Sequence, residues 1–402
     1  MTDFLPYCPL LYYCHLSIPN SSTFFLVINS TGTGTLGRVG IYKTIDNNLR
    51  LPIVPDSHVT IIRAWNDIHP FYIYAYMKCK QKELEAKGEG STNQKELKPL
   101  TLKELLIPIP PKYEQVRIQE QLTKALSLTE DIEDNKKDIL DYIQNIKSKI
   151  LDLAIRGKLV PQDPNDEPAS VLLEHIRAEK DELIKQGKIK RDKKESVIFR
   201  GDDNSYYETI NGNTVCIDDE LLFELPKGWE WTRLQNVSSI LTDGTHKTPQ
   251  YCDSGYTFLS SKNVTTGKID WENIMYIPES LHEELYNRLA PIKGDILLAK
   301  NGTTGVAAIV DRDVIFDIYV SLALIRIAGR LIDSQYILNV IGCSYVQEYF
   351  NKSLKGIGVP NLHLEHIRRT LIPISPYAEQ QRITRITERA WQNFDEILGA
   401  LS

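Results

Sequence analysis

Residues 106–118 read LIPIPPKYEQVRI, and residues 371–383 read LIPISPYAEQQRI. At an offset of 265, nine of the thirteen positions are identical. Leu106, Ile107, Pro108, Ile109, Pro111, Glu114, Gln115, Arg117 and Ile118 recur as Leu371, Ile372, Pro373, Ile374, Pro376, Glu379, Gln380, Arg382 and Ile383. Self-similarity of this density means one structural unit used twice. A weaker match lies upstream, where VINSTGTGTLG ends on Gly37 and ILLAKNGTTG ends on Gly305, an offset of 268. Both copies read as a hydrophobic strand running into a Gly/Thr turn, with three residues of loop separating the two offsets. The unit is therefore a mixed strand-and-helix domain that closes on a proline-rich stop and a helix.

The two helices start just after Pro111 and Pro376, where proline suits a helix entrance. In the first, Ile118, Ala125, Ile132, Ile139, Ile146 and Leu153 recur every seven residues. Leu122, Thr129, Lys136, Ile143 and Ile150 form the interleaved seam, a coiled-coil pattern interrupted by Thr129 and Lys136. The second helix repeats it briefly with Ile383, Ala390 and Ile397, and with Thr387, Phe394 and Leu401. A bland amphipathic helix packed on its own domain is the alternative; the matching register favours the two helices pairing with each other. On that reading Leu122, Ile132, Ile139, Ile143, Ile146, Ile383, Phe394 and Ile397 face the paired helix or partner subunits.

Gly157 closes the first helix, PQDPNDEP (161–168) is a turn-rich connector, and Ser170 to Gln186 is a charged, partly amphipathic helix. The run Lys185 to Lys194 holds six basic residues, most simply a solvated linker, with a DNA or partner contact as the alternative. LPKGWEWTRL (225–234) opens the second globular domain.

At 402 residues the chain is too long for one ordinary core, and 42% apolar with 25% charged residues is the balance of a soluble globular protein. The six cysteines form no CxxC pair and have no histidines at zinc spacing, which points to a reduced compartment. No basic segment precedes the broken apolar stretch near the start, so neither signal peptide nor membrane span is expected and the expected location is cytoplasmic. A net charge of −6 argues mildly against simple non-specific nucleic-acid binding, without excluding a reader that shares phosphate contacts with a partner. Walker A, HExxH, GxSxG and Asn-Pro-Pro-aromatic motifs are absent from the sequence, and the glycines of STGTGTLGRVG lack the helix and acid of a dinucleotide loop. His363 and His366 sit three apart without an acidic or thiol companion, so no metal site is expected.

The candidate recognition surface is polar, glycine-rich and built of loops. DGTHKTPQ (243–250) offers Thr245, His246, Lys247 and Thr248, side chains able to reach phosphate or base edges. LSSKNV (259–264) adds Lys262 and Asn263, LAKNGTTG adds Lys300, Asn301, Thr303 and Thr304, and NKSLKGIGVPN (351–361) adds Lys355. Each alone reads as an ordinary turn. Four in one domain with 15 basic and 15 acidic residues (226–376) make a local basic cluster.

A domain ending in LIPIPP…EQ.RI, a long helix, GKLVPQDPNDEPA, and PKGWEW opening a second domain with the same ending together resemble the specificity subunit of Type I restriction-modification systems. The resemblance covers essentially the whole chain. It implies an α+β fold with two mixed target recognition domains, separated by two long helices that pair as an antiparallel coiled coil. The division would be a first recognition domain at 1–112, a helical region and linker at 113–200, a second recognition domain at 201–378 and a distal helix at 379–402. The function implied is recognition of a split double-stranded DNA target and docking of methyltransferase and restriction subunits, with no catalysis in this chain. S-adenosylmethionine, ATP and Mg would belong to those partners, and this chain would bind no cofactor. A helix of 24 residues (379–402) spans about 36 Å, close to one turn of DNA.

The repeat also yields an expectation about the first domain. Trp229 lies 73 residues before Gly302, whereas only 33 residues precede Gly34, so a counterpart of PKGWEW would fall upstream of Met1. The first recognition domain is then expected to be truncated, with Leu5, Tyr7, Leu10, Leu11, Tyr12 and Tyr13 as its remnant; a shorter domain with a different opening is the alternative. Two other classes compete for the whole chain: a coiled-coil scaffold that never touches DNA, and an enzyme with an unfamiliar site.

Overall fold

The protein is described by a computed structural model, in which residues 24–32, 34–43, 55–65, 67–91, 94–191, 195–329, 331–354 and 360–401 are placed. The apolar opening segment and Lys355 therefore lie outside the described residues. The chain divides into two compact units, Met1–Asn135 and Lys136–Ser402.

The first unit begins with strands β1 (Phe24–Asn29), β2 (Val39–Lys43) and β3 (Val59–Ile62) in one antiparallel sheet, with β1 in the middle. Helices α1 (Pro70–Cys79) and α2 (Gln81–Ala86), the hairpin β4–β5 (Glu89–Ser91, Gln94–Glu96) and α3 (Pro99–Lys103) follow. Leu26 and Ile28 of β1 pack with Ile73 and Met77 of α1 and with Leu84 and Leu97 in one core. The chain then enters α4, Lys112–Ile155, immediately after Pro111.

In the second unit α4 stops ahead of Gly157, whose φ of +62° is the left-handed conformation that ends helices. Helix α5 (Ala169–Lys185) buries Ala169, Leu172 and Ile176. The sheet β6–β7–β8 (Ser196–Arg200, Tyr206–Ile210, Asn213–Cys216) comes next, then β9 (Glu230–Arg233) and the short helix α6 (Leu234–Val237). The body of the domain comprises β10 (Ser238–Asp243), β11 (Tyr256–Leu259), β12 (Met275–Ile277), α7 (Glu279–Arg288), β13 (Ile296–Ala299), β14 (Ala307–Ile309), β15 (Phe316–Ile318) and β16 (Leu322–Ile327). It closes with α8 (Ser334–Gly342), α9 (Ser344–Lys352), α10 (Leu364–Arg369), β17 (Leu371–Ile374) and α11 (Tyr377–Leu401).

The central sheet runs β10–β16–β13–β14, and its apolar runs are continuous because both faces are covered. Ile296, Leu298, Ala323 and Ile325 point into one core with α8, while Leu297, Leu322 and Leu324 point into another with Phe316 and Ile318. That is the two-residue alternation of a strand read on two buried faces.

The sequence repeat is a repeat of hydrogen bonds. Gln115 and Gln380, at the start of α4 and α11, each donate to a carbonyl five residues back, on Pro110 and Ser375 at 2.9 Å. Each also accepts the backbone N–H of the residue preceding α1 or α8, His69 at 2.7 Å and Asp333 at 3.1 Å. Tyr72 and Tyr336 donate to the equivalent carbonyls of Pro108 and Pro373. Both glutamines are buried, which is why EQ recurs. The Gly/Thr turn is where the copies differ. Gly37 N–H bonds to the Asn29 carbonyl and Gly305 N–H to the Ala299 carbonyl, so the first turn is two residues longer.

The final part of α4 and α11 run antiparallel within the second unit. Lys136 donates to the carbonyl of Leu401, while Lys147 lies over the rings of Trp391 and Phe394 at 5.6 and 5.8 Å. The opening half of α11 packs inward instead. Its Glu379, Gln380, Ile383, Thr384 and Thr387 are buried, and Thr387 accepts a hydrogen bond from Asn339 of α8. The heptad position of Thr387 thus faces its own domain rather than α4, because a buried amide on α8 needs its hydroxyl.

Candidate nucleic-acid interface

The four loops singled out in the second domain converge at one end of the central sheet. Gly244 lets the first of them approach: a Cβ there would lie 1.9 Å from the carbonyl oxygen of Ile318. Thr245 then bridges to Tyr319, with Thr245 N–H bonded to Ile318 and Val320 N–H bonded to Thr245. Ser321 links the next two loops, its hydroxyl accepting from Ser261 N–H and its carbonyl from Lys300 N–H, at 2.9 and 2.8 Å. The Ser261 hydroxyl donates to Asn301, and Asn301 bridges to Asn361 of the fourth segment.

Burial sorts the candidate residues into two groups. His246, Lys247, Thr248, Lys262 and Thr303 are exposed, Asn301 and Thr304 are half-buried, and together they form the accessible rim. Thr245, Asn263 and Lys300 are buried beneath it. Lys300 Nζ lies 2.5 Å from the Asp243 carboxylate, itself buried, so its charge is taken internally. Asn263 caps a short 3₁₀ turn: its Oδ1 accepts Ser260 N–H and its Nδ2 donates to the carbonyls of Asp270 and Asn273. A charge or amide already satisfied by the fold has little left to offer a ligand. Lys247 and Lys262 are the free cations of this rim among the described candidates.

Sequence reasoning missed Tyr319, whose hydroxyl lies 3.3 Å from that of Thr248 at the centre of the rim, and the exposed Tyr251 just past the same loop. DIYV reads simply as a strand, so Tyr319 carried no signal. It also missed the buried pair of His282 Nδ1 and Asp317 at 2.6 Å, beneath the stacked ring of Tyr256. Burial raises the Asp317 carboxyl, and the histidine opposes that shift. A second basic region, a cleft of about 450 Å³, is lined by Lys190, Arg191, Arg368 and Arg369 among others. Arg191 pairs with Asp181 and Glu195, and Arg369 with Glu208, so much of that charge is compensated. Lys193 and Lys194 of the same run lie outside the described residues.

Of the helix residues, Ile143 and Ile383 are buried and Phe394 is half-buried. Leu122, Ile132, Ile139, Ile146 and Ile397 are exposed, leaving apolar positions of the heptads open. Among the described residues no helix is long and apolar enough to cross a membrane, and no group of three His, Cys, Asp or Glu could hold a metal.

This arrangement has known relatives. The specificity subunit of the Type I restriction enzyme EcoAI from Escherichia coli is 28% identical over 398 residues, covering 86% of this chain and 63% of that protein. The chain thus spans less than two thirds of that relative. The EcoEI specificity subunit, also from Escherichia coli, is 48% identical over 106 residues, covering 26% of this chain and 15% of its own. A solved chain from work on complex assembly and conformational transition of the type I R-M system shares the fold, with TM-score 0.56 and 16% identity over 94% of this chain and 76% of that one. The sequence model described as "Type I restriction modification DNA specificity domain" matches residues 12–141 and 226–397, most of both halves of the repeat, and the chain belongs to that family.

Proposed function

We propose that this chain is the DNA-recognition component of a Type I restriction-modification complex, reading a split double-stranded target without catalysing a reaction. The observation that carries the reading is the rim itself: four polar loops, distant in sequence, meet at one end of a rigid sheet and expose Lys247, Lys262, His246, Thr248 and Thr303 together. Cations position a protein on phosphate, while hydroxyls, amides and an imidazole can contact base edges. Thr304 and Asn301 sit behind them, half-buried. The domain division at 112, 200 and 378, with recognition domains on either side of the α4 region, belongs to this proposal.

The exposed apolar residues of α4 supply the second half of the reading. Ile132, Ile139 and Ile146 form a stripe suited to methyltransferase subunits, and restriction subunits would join through them. S-adenosylmethionine, ATP and Mg would be used by those partners. Binding to a cognate duplex at several salt concentrations tests the DNA contact. Lys247→Ala and Lys262→Ala should each weaken binding and reduce the salt slope by about one unit. Unchanged affinity and slope in the double variant would refute phosphate contact at this rim.

A further inference from the structure

The two copies of LIPI share a sequence but not an environment. In the second copy Leu371–Ile374 pairs antiparallel with Glu230–Arg233, and Leu371 and Ile374 are 4% and 0% exposed. In the first copy Leu106 and Ile109 are 88% and 51% exposed, and the backbone N–H groups of Leu106, Ile107 and Ile109 have no partner among the described residues. An unpaired edge beside exposed apolar side chains is a template for another strand.

The receptor for that strand's anchor is already built. In the second copy Trp229 lies edge-on to Tyr336, with ring centroids 6.5 Å apart, and donates its indole N–H to Glu379 at 2.9 Å. Tyr336 is held by its bond to Pro373, and Tyr72 is held identically by its bond to Pro108. Glu114 occupies the position of Glu379. Burial raises the Tyr72 hydroxyl, and Glu114 lies close enough for its charge to add to that shift. Yet Glu114 is exposed and has no hydrogen-bond partner for its side chain among the described residues. Tyr72 and Glu114 together therefore repeat the seat of Trp229 without an indole in it. The surroundings of Trp231 differ, since Gln81 stands where its neighbour Tyr345 stands in the second copy, at the offset of Tyr72 and Tyr336.

We propose that Leu106–Ile109 is an acceptor edge for an extended segment of a second polypeptide, different from this chain, with the chemistry of residues 229–234. That segment runs antiparallel to the edge. A tryptophan at the position of Trp229 lies against Tyr72 and donates to Glu114. The register follows the second copy, where Leu371 stands opposite Arg233 and Ile374 opposite Glu230.

The test uses the full chain and a synthetic peptide of residues 226–237, PKGWEWTRLQNV, followed by amide hydrogen exchange. In that register the equivalents of Ile372 and Ile374 donate across the ladder, so added peptide should slow exchange at Ile107 and Ile109 at least tenfold and bind saturably. A peptide carrying Trp229→Ala, and a chain carrying Glu114→Ala, should each bind at least tenfold more weakly; Glu114 is exposed, so that chain should fold normally. No slowing at saturating peptide, or equal slowing by a scrambled peptide, overturns the proposal. So does protection of the edge in the monomer before any peptide is added, which would mean that this chain covers it. Protection seen only in a concentration-dependent dimer would assign the edge to a second copy and likewise overturn it.

Discussion

Arg233 is the residue on which the opening of the second domain turns. Its guanidinium is buried and bonds the buried Glu208 through two nitrogens at 3.0 and 2.7 Å, then Glu220 and the carbonyl of Arg369. Burial raises the Glu208 carboxyl, but Arg233, Ser196 and Arg369 together outweigh it and hold Glu208 below its ordinary value. Arg233→Ala would leave the buried Glu208 carboxylate with only the more distant Arg369, at 3.5 Å, and should cost about 3 kcal/mol, read as a lowered melting temperature. Glu379 behaves oppositely, because burial keeps its carboxyl above the ordinary range despite Trp229 and Arg382. A folded state that holds a proton more tightly than the unfolded chain is favoured below the unfolded pKa and loses that advantage as pH rises through the raised value. Glu379→Gln keeps an acceptor for the indole and removes the charge. Wild type should therefore lose stability relative to Glu379→Gln as pH rises above the ordinary glutamate value of about 4.3 in parallel melts; a flat or opposite difference contradicts this. The residue scale is also where sequence reading is weakest. Lys247 and Lys300 sit in equally polar loops, and only the fold reveals that Lys300 is sealed against Asp243 while Lys247 is open.

At the scale of the element, the helices were legible from prolines and heptads, and α4 and α11 begin directly after Pro111 and Pro376. Their allegiances were not, because periodicity says which residues share a face and not what covers it. Thr387 occupies a seam position in the heptads yet serves Asn339. The same limit applies to the stripe on α4, where Ile143 is buried and Ile139 is 37% exposed. The two isoleucines should answer differently to the same change. Ile143→Asp should destabilise the isolated chain by several kcal/mol. Ile139→Asp should shift its stability by no more than about 0.5 kcal/mol while abolishing co-purification with a methyltransferase partner. Melting curves and pull-downs on both variants check this, and intact co-purification of Ile139→Asp would remove the stripe from the partner surface.

On the scale of the whole molecule, the repeat was readable because two buried glutamines and two tyrosines impose the same bonds on both copies. What separates the copies was less readable, since it lies in which strand covers LIPI and in a turn two residues longer. The candidate recognition loops are legible as segments, but their meeting around Ser321 depends on sheet order, which loop sequences do not encode. The central claim is that the second domain alone reads one half of a split DNA target. Single-molecule sequencing of host DNA tests it most directly, comparing methylation directed by the intact chain with that directed by a chain whose residues 226–376 come from a relative of different specificity. The account predicts that one half of the methylated motif changes while the other half and the spacer stay the same. A change in both halves or in the spacer, or methylation indifferent to the exchange, would contradict it.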